Sequence, residues 1–382
     1  MSNQKTLHVV TVSFVINHFF GNQFRYLNSL NNNDYYLACS PSDELFELSS
    51  KLGFTAVPVN ITREISPFSD LVSIFKLYLF IRRNKIDSVI GHTPKGGLVA
   101  MVAAFLAGVE NRFYFRHGII YETSSGLKRK LLKGIEKLTG RLANQIICVS
   151  NDVKKISERD GLNANYKNML LGLGTCNGID VNNKFNPDKY SDSEVTNLRE
   201  RLGISEDSLV VGYVGRIVRD KGINELVSAW KLLKQKYTNI VLLLVGPIEE
   251  RDSISSDTIS IIRNDNTIIN TGFVLDSSLY FKLMNLFILP TYREGFPTVS
   301  LEASSMRLPV LITKATGCKE SIIEGVTGLF VKNDPSDIAT QIDCYLQNES
   351  MRLLHGGNGR KFVSENFDQE KIWNEIHNKL NY

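Results

Sequence analysis

Two glutamates bracket the segment Glu294-Gly-Phe-Pro-Thr-Val-Ser-Leu-Glu302, which follows an apolar run ending at Pro290. A strand, a glycine-containing turn and a helix are predicted in that order, because Pro297 suits the first helical position, where its missing N–H costs nothing. The helix N-terminus, with the amides of Thr298 and Val299, favours an anion such as a diphosphate. The segment therefore predicts a phosphate-binding junction that also carries two carboxylates.

Positive charge comes from a second loop. The stretch Gly215-Arg-Ile-Val-Arg-Asp-Lys-Gly222 follows an apolar strand and carries Arg216 and Lys221. Two carboxylates would repel a diphosphate, so we expect Glu294 and Glu302 to contact sugar and ribose hydroxyls while the cations hold the phosphates. Each charge-assisted contact of this type contributes roughly 1.5–3 kcal/mol. Together these contacts can stabilise a leaving nucleoside diphosphate without a metal.

Motifs for other phosphate and cofactor chemistry are absent from the sequence. It has no Asp-x-Asp triplet and no G-x-x-x-x-G-K-[ST] loop, and Gly172-Leu-Gly174 lacks the third glycine of a dinucleotide fingerprint. The five cysteines are scattered and form no C-x-x-C pair. This pattern is typical of reduced thiols rather than of a zinc site or disulfides. We expect no metal requirement and no cofactor.

The elements that position these loops follow an α/β pattern that occurs twice. Predicted strands include Leu7–Ser13, Ser88–His92 and Ile240–Val245, and predicted helices include Asn151–Arg159 and Pro297–Met306. Apolar runs that alternate with amphipathic stretches indicate parallel sheets covered on both faces. We therefore expect two facing, Rossmann-like doubly wound domains, with ligands in a crevice at the strand ends.

The chain is predicted to divide at a polar stretch. Residues 1–180 form the first domain, residues 181–205 a linker rich in Asn, Asp, Ser and Lys, and residues 206–367 the second domain. Residues 368–382 are predicted as a helix that packs back on the first domain.

Polar side chains also follow strands of the first half. His92-Thr-Pro-Lys95 follows one predicted strand, Arg116-His117-Gly118 follows the next, and a loop from Ser13 to Gly21 contains His18. Because carboxyl ends of parallel strands meet at one edge, these side chains are expected to face the crevice. Structural roles are the alternative: a core position for His117, helix capping for His92 and Lys95, and local loop structure for His18.

Together these features resemble glycosyltransferase family 4, which has the GT-B fold of two Rossmann-like domains. The resemblance covers nearly the whole chain. It rests on the E-x7-E spacing of Glu294 and Glu302, the Gly-Arg…Lys-Gly loop, Asn177-Gly-Ile-Asp180, and Thr316–Glu320 followed by Gly325-Val-Thr-Gly328. Cys318 stands where the family usually has a second glycine, and the loop before Gly21 lacks the usual paired glycines.

The resemblance implies that a sugar is transferred from a nucleotide diphosphate with retention of configuration. It implies Glu294 on the sugar hydroxyls, Arg216 and Lys221 on the diphosphate, and His117 near the anomeric centre, as the catalytic candidates. The implied donor-binding residues are Gly215, Phe273, Val274, Gly295, Phe296, Pro297, Thr298, Val299 and Glu302. The implied acceptor-binding residues are His18, Gly21, His92 and Lys95.

The pattern Ile65-Ser-Pro…Asp70, together with the His92 and Arg116 segments, looks like a bacterial subgroup of the family. Its members extend glycans on polyprenyl diphosphate for capsule, O-antigen or N-glycan precursors. The implied donor is a UDP-sugar, either a hexose or an N-acetylhexosamine. A nucleotide-sugar epimerase of the same fold class and an inactive sugar-nucleotide-binding protein are the alternatives.

Residues 127–141 combine basic and apolar side chains at helical spacing. They comprise Lys128, Arg129, Lys130, Lys133, Lys137 and Arg141 with Leu127, Leu131, Leu132, Ile135 and Leu138. A basic amphipathic helix is typical of a membrane-surface element, and Phe19 and Phe20 would add apolar insertion. A solvated outer face is the alternative.

The bulk composition narrows the location and partners. A net charge of +4 does not indicate a nucleic-acid binder. No apolar run is long enough to span a bilayer, and no signal-peptide pattern is visible. We expect a cytoplasmic protein, with docking on the inner face of the plasma membrane as a hypothesis.

Overall fold

The structure is a computed structural model that describes residues 3–62, 66–250 and 252–380. The chain forms two compact units. The first contains the residues up to Gly178 and those from Glu370 onward, and the second is Ile179–Gln369. Each unit is built on its own parallel sheet.

The first unit has a sheet with the order β3-β2-β1-β4-β5-β6-β7. Its strands are β1 (Lys5–Val9), β2 (Asp34–Cys39), β3 (Thr55–Pro58), β4 (Ser88–His92), β5 (Asn111–Arg116), β6 (Gln145–Cys148) and β7 (Asn168–Met169). Its helices are α1 (Ile16–Phe19), α2 (Gln23–Asn31), α3 (Asp43–Leu52), α4 (Pro67–Asn84), α5 (Pro94–Leu106), α6 (Gly126–Leu142) and α7 (Asn151–Arg159).

The second unit has a sheet with the order β10-β9-β8-β11-β12-β13. Its strands are β8 (Leu209–Val214), β9 (Ile240–Val245), β10 (Ile268–Asn270), β11 (Leu286–Leu289), β12 (Val310–Thr313) and β13 (Gly328–Val331). Its helices are α8 (Asp192–Leu202), α9 (Ile223–Leu233), α10 (Ser256–Asn264), α11 (Ser278–Leu283), α12 (Thr298–Ser305), α13 (Pro335–Gln347) and α14 (Glu349–Asn366). The last helix, α15 (Gln369–Lys379), belongs to the first unit from Glu370 onward.

Both sheets reverse their strand order at one point. In the first sheet β1 pairs with β2 on one side and β4 on the other, and in the second β8 lies between β9 and β11. In open α/β sheets, loops leaving the strands at such a reversal diverge and leave a ligand-sized gap at the carboxyl edge. The loops after β8 and β11 carry Arg216, Lys221 and Glu294, the predicted catalytic residues of this unit.

The segment predicted as a linker, residues 181–205, is part of the second unit. Its apolar side chains, Val181, Phe185, Leu198 and Ile204, are buried in the hydrophobic core of that unit. α8 begins with a capping box in which Ser191 and Glu194 bond each other's backbone amides. The linker prediction is therefore wrong: the polar residues are the exposed side of a short folded segment whose sparse apolar residues are buried.

The C-terminal helix α15 lies within the first unit from Glu370 onward. Ile372, Trp373 and Ile376 are buried, and Trp373 Nε1 donates to Asn177 Oδ1 at 2.7 Å. Glu375 accepts the amide of Gly172 at 2.6 Å. The helix is thus held by both apolar burial and directed hydrogen bonds.

Across the described ranges, every helix is too short or too polar to cross a lipid bilayer.

Candidate active site

Lys221 and Glu294 form a close ion pair. Nζ of Lys221 lies 2.6 Å from Oε1 of Glu294, and the two side chains are only 14% and 18% exposed. The residues sit on the loops that follow β8 and β11, at the reversal of the second sheet. An ammonium group carries three donors, of which this contact uses one. A diphosphate bound at this edge would contact the ammonium group of Lys221. A sugar hydroxyl beside it would donate to the carboxylate of Glu294, which the ion pair already holds in place.

The two loops are joined next to this ion pair. The main-chain oxygen of Asp220 accepts the Tyr292 amide at 2.9 Å and the Thr291 hydroxyl at 3.2 Å. Nη2 of Arg293 also lies 3.5 Å from Oδ2 of Asp220. Because the neighbours of both charged residues are bonded to each other, the positions of Lys221 and Glu294 are coupled.

Two glycines allow the backbones around the ion pair to approach closely. Gly222 has φ +73°, and a Cβ there would lie 1.9 Å from the carbonyl oxygen of Pro290. Gly317 has φ +79°, and a Cβ there would lie 2.6 Å from the carbonyl oxygen of Glu294. Both positions require the left-handed region and no side chain. This explains physically why glycine follows Lys221 and why a Thr-Gly pair occurs downstream.

Arg216 lies apart from this ion pair. It is 54% exposed, and its Nη1 lies 3.1 Å from Oε2 of Glu249 in the loop after β9. Exposed pairs of this kind contribute roughly 0–1 kcal/mol, so the guanidinium can exchange Glu249 for a more charged ligand. Its backbone is held by the buried Tyr213 hydroxyl, which donates to the Arg216 carbonyl at 2.7 Å. Glu249 was not foreseen; its only signal was its place after a predicted strand.

The start of α12 differs from the prediction in two ways. The helix begins at Thr298, and Pro297 precedes it with φ −82° and ψ 77°. The Thr298 amide donates to the Phe296 carbonyl at 3.0 Å in a tight turn. Thr298 therefore does not offer a free amide, and Val299 is the remaining amide of the predicted pair.

Glu302 lies on α12 and is partly buried. Burial raises the pKa of its carboxyl to about 7, with Lys184 lowering and Asp276 raising it to smaller extents. Lys184 belongs to the segment predicted as a linker, and it lies 3.8 Å from Asp276. A carboxyl group with this pKa can both accept and donate a hydrogen bond near neutral pH, which suits a hydroxyl ligand.

Glu302→Gln is expected to increase the resistance to urea more at pH 8 than at pH 5. The folded carboxyl has a pKa of about 7 against an ordinary 4.5, so the folded protein binds a proton that the unfolded chain has released. Wild-type stability therefore falls as the pH rises from about 4.5 to about 7, and glutamine removes that loss. The gain at pH 8 is on the order of 1–3 kcal/mol. The exposed Glu250→Gln is the charge-matched control; equal gains for Glu302→Gln at both pH values would contradict the prediction.

The predicted base contacts, Phe273 and Val274, differ in exposure. Phe273 is 76% exposed, whereas Val274 packs against the core of the second unit. Asn270 holds the end of β10 near them by donating to the Leu244 and Gly246 carbonyls, both at 3.0 Å. An exposed aromatic ring on a fixed loop can stack on a nucleotide base.

In the first unit, three histidines form a hydrogen-bonded row. Nδ1 of His8 lies 3.1 Å from Nε2 of His92, and Nδ1 of His92 lies 3.1 Å from Nε2 of His117. His8 and His92 are buried, and His117 is partly exposed. Burial lowers the pKa of His8 and of His117 to about 3 and that of His92 well below its ordinary value, so all three are neutral at pH 7. His8 was not predicted, since one histidine in an apolar strand carries no spacing signal.

The remaining predicted acceptor residues, Lys95, His18 and Gly21, make different local contacts. Lys95 Nζ lies 2.6 Å from Asp70 Oδ2, which joins the starts of α4 and α5. His18 is exposed, and its carbonyl accepts Asn177 Nδ2 at 3.4 Å. Gly21 lies between α1 and α2, and its amide donates to the Asn17 carbonyl at 3.0 Å. The helix cap expected of the His92 segment is made by Thr93, which accepts the amide of Gly96 at 3.2 Å.

Arg116 is inside the first unit instead of facing a ligand. It is fully buried, with Nε 3.1 Å from Oε2 of Glu136 on α6 and with Nη1 bonded to Ser157 and to Asn163. The expectation that it faces a crevice is wrong, because a buried carboxylate on the covering helix holds it in the core.

Three further expectations concern Phe19 and Phe20, Ile65, and a metal requirement. Phe20 is buried and Phe19 stacks on His117, so membrane insertion by these rings is not supported. Ile65 lies outside the described residues. Among the residues that are described, no three His, Cys, Asp or Glu side chains are grouped as metal ligands. The absence of a metal requirement stays a prediction.

Comparison with known proteins identifies the family. Residues 194–362 match the family model "Glycosyl transferases group 1", and residues 11–150 match "Glycosyl transferase 4-like". The capsular polysaccharide biosynthesis glycosyltransferase CapM of Staphylococcus aureus is 35% identical over 384 residues, covering 100% of this chain and 98% of CapM. The chain belongs to the group 1, family 4-like glycosyltransferases and is a transferase, which argues against the epimerase alternative.

More distant relatives extend the comparison. The N,N'-diacetylbacillosaminyl-diphospho-undecaprenol alpha-1,3-N-acetylgalactosaminyltransferase of Campylobacter jejuni is 26% identical over 321 residues, 82% of each chain. The structure of Anabaena HepE in complex with UDP and glucose has a TM-score of 0.83 at 19% identity, covering 99% of this chain and 100% of that one. The predicted GT-B class, with two Rossmann-like parallel-sheet domains, is confirmed.

Proposed function

We propose that this enzyme transfers a hexose or N-acetylhexosamine from a UDP-sugar to a glycan carried on polyprenyl diphosphate, with retention of configuration. The observation that carries the proposal is the Lys221–Glu294 ion pair at the strand reversal of the second sheet. It places Lys221, a cation that can bind phosphate, beside Glu294, a carboxylate that can accept hydrogen bonds from sugar hydroxyls. Family membership supports sugar transfer as the reaction class, and the Lys221–Glu294 pair supports a nucleotide-sugar as the donor.

In the proposed reaction, the bond between the anomeric carbon and the diphosphate oxygen breaks, and its electrons pass to the leaving UDP. Lys221, joined by Arg216 once it leaves Glu249, stabilises the charge that develops there. Glu294 accepts hydrogen bonds from sugar hydroxyls, and Glu302 contacts the ribose. The acceptor hydroxyl forms the new bond to the anomeric carbon, and its proton passes to an oxygen of the leaving UDP. His117 is proposed to face the transferred sugar.

The relatives support the choice of donor and acceptor class. CapM is named for capsular polysaccharide biosynthesis, and the Campylobacter relative is named for a diphospho-undecaprenol acceptor. HepE has been solved with UDP-glucose as well as with UDP and glucose. A UDP-sugar donor and a lipid-linked acceptor therefore fit these relatives and this site together.

The surface of the first unit supports a lipid-linked acceptor. On α6, Leu127, Leu131 and Leu138 are exposed beside exposed Lys128, Arg129, Lys130, Lys137 and Arg141. On α4, Phe68, Leu71, Val72 and Phe75 are also exposed at helical spacing. α5 packs against both α4 and α6. Exposed apolar side chains next to basic ones are typical of a surface that rests on anionic lipid, where a polyprenyl acceptor resides.

The function is tested by screening UDP-, GDP- and ADP-sugars for nucleotide release with a polyprenyl-diphosphate sugar as acceptor. We expect release from a UDP-sugar that depends on the acceptor, and NMR of the product should show the donor's anomeric configuration. Interconversion of UDP-sugars without nucleotide release would establish the epimerase alternative instead. Binding of donor with no turnover on any acceptor would favour an inactive binding protein.

Membrane docking by α6 has its own expected result. Wild-type protein should sediment with vesicles containing anionic lipid at low salt but not with zwitterionic vesicles. Replacing Lys128, Arg129 and Lys130 by Glu should weaken this binding about 100-fold or more, since each basic residue contributes about 1 kcal/mol near such a surface. The control replaces Arg201, Lys231 and Lys361, exposed basic residues of the second unit, by Glu. Equal binding by both triple variants, or unchanged transfer to lipid acceptor after the α6 change, would refute docking by this helix.

A further inference from the structure

The row of histidines in the first unit runs from the interior to the carboxyl edge of its sheet. His8 lies on β1, His92 ends β4, and His117 directly follows β5. β1 and β4 are hydrogen-bonded neighbours, as are β4 and β5, so the three rings lie on adjacent strands. The same edge is where ligands of open parallel sheets bind. The row therefore connects a fully buried imidazole to a partly exposed one.

Two short contacts restrict where the protons can be. A neutral imidazole has one N–H and one acceptor nitrogen, and each 3.1 Å contact needs one N–H. If Nδ1 of His8 donates, His92 must accept on Nε2 and donate from Nδ1, and His117 then carries its proton on Nδ1. If instead His117 donates from Nε2, the other two rings must also carry their protons on Nε2. In both cases the three rings have the same tautomer.

The surroundings of the row keep the rings neutral and oriented. Phe20 and Phe24 meet the ring of His8 edge-on at centroid distances of 5.2 and 5.1 Å. Phe19 stacks on His117 at 4.0 Å with an interplanar angle of 12°. A positive charge among these rings would be poorly solvated, and the stack prevents His117 from turning. Protonation and rotation, the two ways in which an imidazole loses a defined tautomer, are both opposed.

Packing alone does not account for imidazoles at these positions. His8 lies between Leu7 and Val9, which are buried, and an aliphatic residue would fill its position without a polar cost. The nitrogens that face each other, His8 Nδ1 with His92 Nε2 and His92 Nδ1 with His117 Nε2, are tolerated in the interior because each pair shares a hydrogen bond. What the polar row adds over an apolar core is a fixed donor or acceptor on its outermost member.

We propose that His8 and His92 are positioning residues that set the tautomer and ring plane of His117, so that His117 Nδ1 presents one defined hydrogen-bonding role to a ligand at the carboxyl end of β5. This inference rests on the proposed function for the identity of that ligand, a sugar. The tautomer coupling itself depends only on the row. His117 Nδ1 can change between hydrogen-bond donor and acceptor only if the protons of both inter-ring hydrogen bonds move together.

The first test is ¹⁵N NMR of the imidazole rings in the wild-type protein, which has six histidines. His8, His92 and His117 should be neutral at pH 7 and should all carry the proton on the same ring nitrogen. Mixed tautomers among the three, or a charged ring, would overturn the proposal. This readout does not require transfer activity, so it is separate from any failure of the proposed function.

The second test compares two substitutions at His8. His8→Asn places an amide near the former Nδ1 and keeps a hydrogen bond to His92, whereas His8→Phe keeps the ring packing and removes that bond. His8→Phe should give His117 a mixture of tautomers and lower turnover about tenfold, in line with one lost hydrogen bond. His8→Asn should retain the His117 tautomer and most of the turnover. Unchanged His117 signals in His8→Phe, or equal losses in both variants, would show that His8 has a packing role only.

Discussion

Lys221→Ala is expected to lower the turnover of sugar transfer by about 10²–10³-fold. The leaving diphosphate gains charge in the transition state, and removal of one preorganised donor to such a charge typically costs this much. The effect should appear mainly in kcat for the nucleotide-sugar, measured by UDP release at saturating donor. The ion pair adds a second reason, because Glu294 loses the ammonium group that lies 2.6 Å away and fixes its position.

Lys234→Ala is the matched control for this experiment. Lys234 also lies in the second unit and pairs with a carboxylate, Asp265, at 2.7 Å, but it follows the C-terminal end of α9, whereas Lys221 precedes the N-terminal end. It should leave turnover unchanged. Thermal melting of both variants separates lost chemistry from lost folding. If Lys221→Ala and Arg216→Ala both keep near-normal rates, the leaving-group role assigned to these cations is wrong.

Gly222→Ala is expected to destabilise the second unit by roughly 2–5 kcal/mol. A left-handed backbone costs a non-glycine residue roughly 1–2 kcal/mol. The Cβ would in addition lie 1.9 Å from the Pro290 carbonyl oxygen, which forces two loops apart and adds a cost of roughly 1–3 kcal/mol. The measurement is the free energy of unfolding from urea titration. Turnover should fall as well, because Lys221 and Glu294 sit on these loops.

Gly325→Ala separates the two contributions. Gly325 has the same φ of +73°, but a Cβ there would have nothing within 4 Å. It should show the backbone cost alone, roughly 1–2 kcal/mol, with turnover preserved. Equal losses of stability in Gly222→Ala and Gly325→Ala would mean that the loops around the ion pair are not closely apposed.

Elements with strong local patterns could be predicted from the sequence to the residue. β4, β9 and α7 have the predicted bounds, since a run of apolar residues or a 3.6-residue period is a property of the segment itself. Errors appear where a turn competes with the pattern. The strand expected to reach Ser13 ends at Val9, and a 3₁₀ turn starts at Ser13. The predicted helix start at Pro297 moves to Thr298, because the Phe296 carbonyl captures an amide in the turn.

Glu294 and Glu302 show how much of the site could be predicted from the sequence. Their place at a strand-to-helix junction, the cations upstream and the glycines downstream carry the resemblance to a glycosyltransferase family of GT-B type, which the comparisons confirm. Sequence reasoning gave Glu294 and Lys221 separate ligand groups to contact. In the structure they contact each other, although 73 positions separate them along the chain. Only the pairing of β8 with β11 brings their loops together.

The sequence alone was therefore enough to predict two parallel sheets, their strand-to-helix junctions, the chemistry of the residues placed there and, by resemblance, the family. Tertiary structure decided which of those residues meet. The Lys221–Glu294 pair, the raised pKa of Glu302 and the His8–His92–His117 row all depend on strand order and burial. Strand order and burial cannot be predicted from local periodicity, because contacts between residues that are distant in the chain determine them.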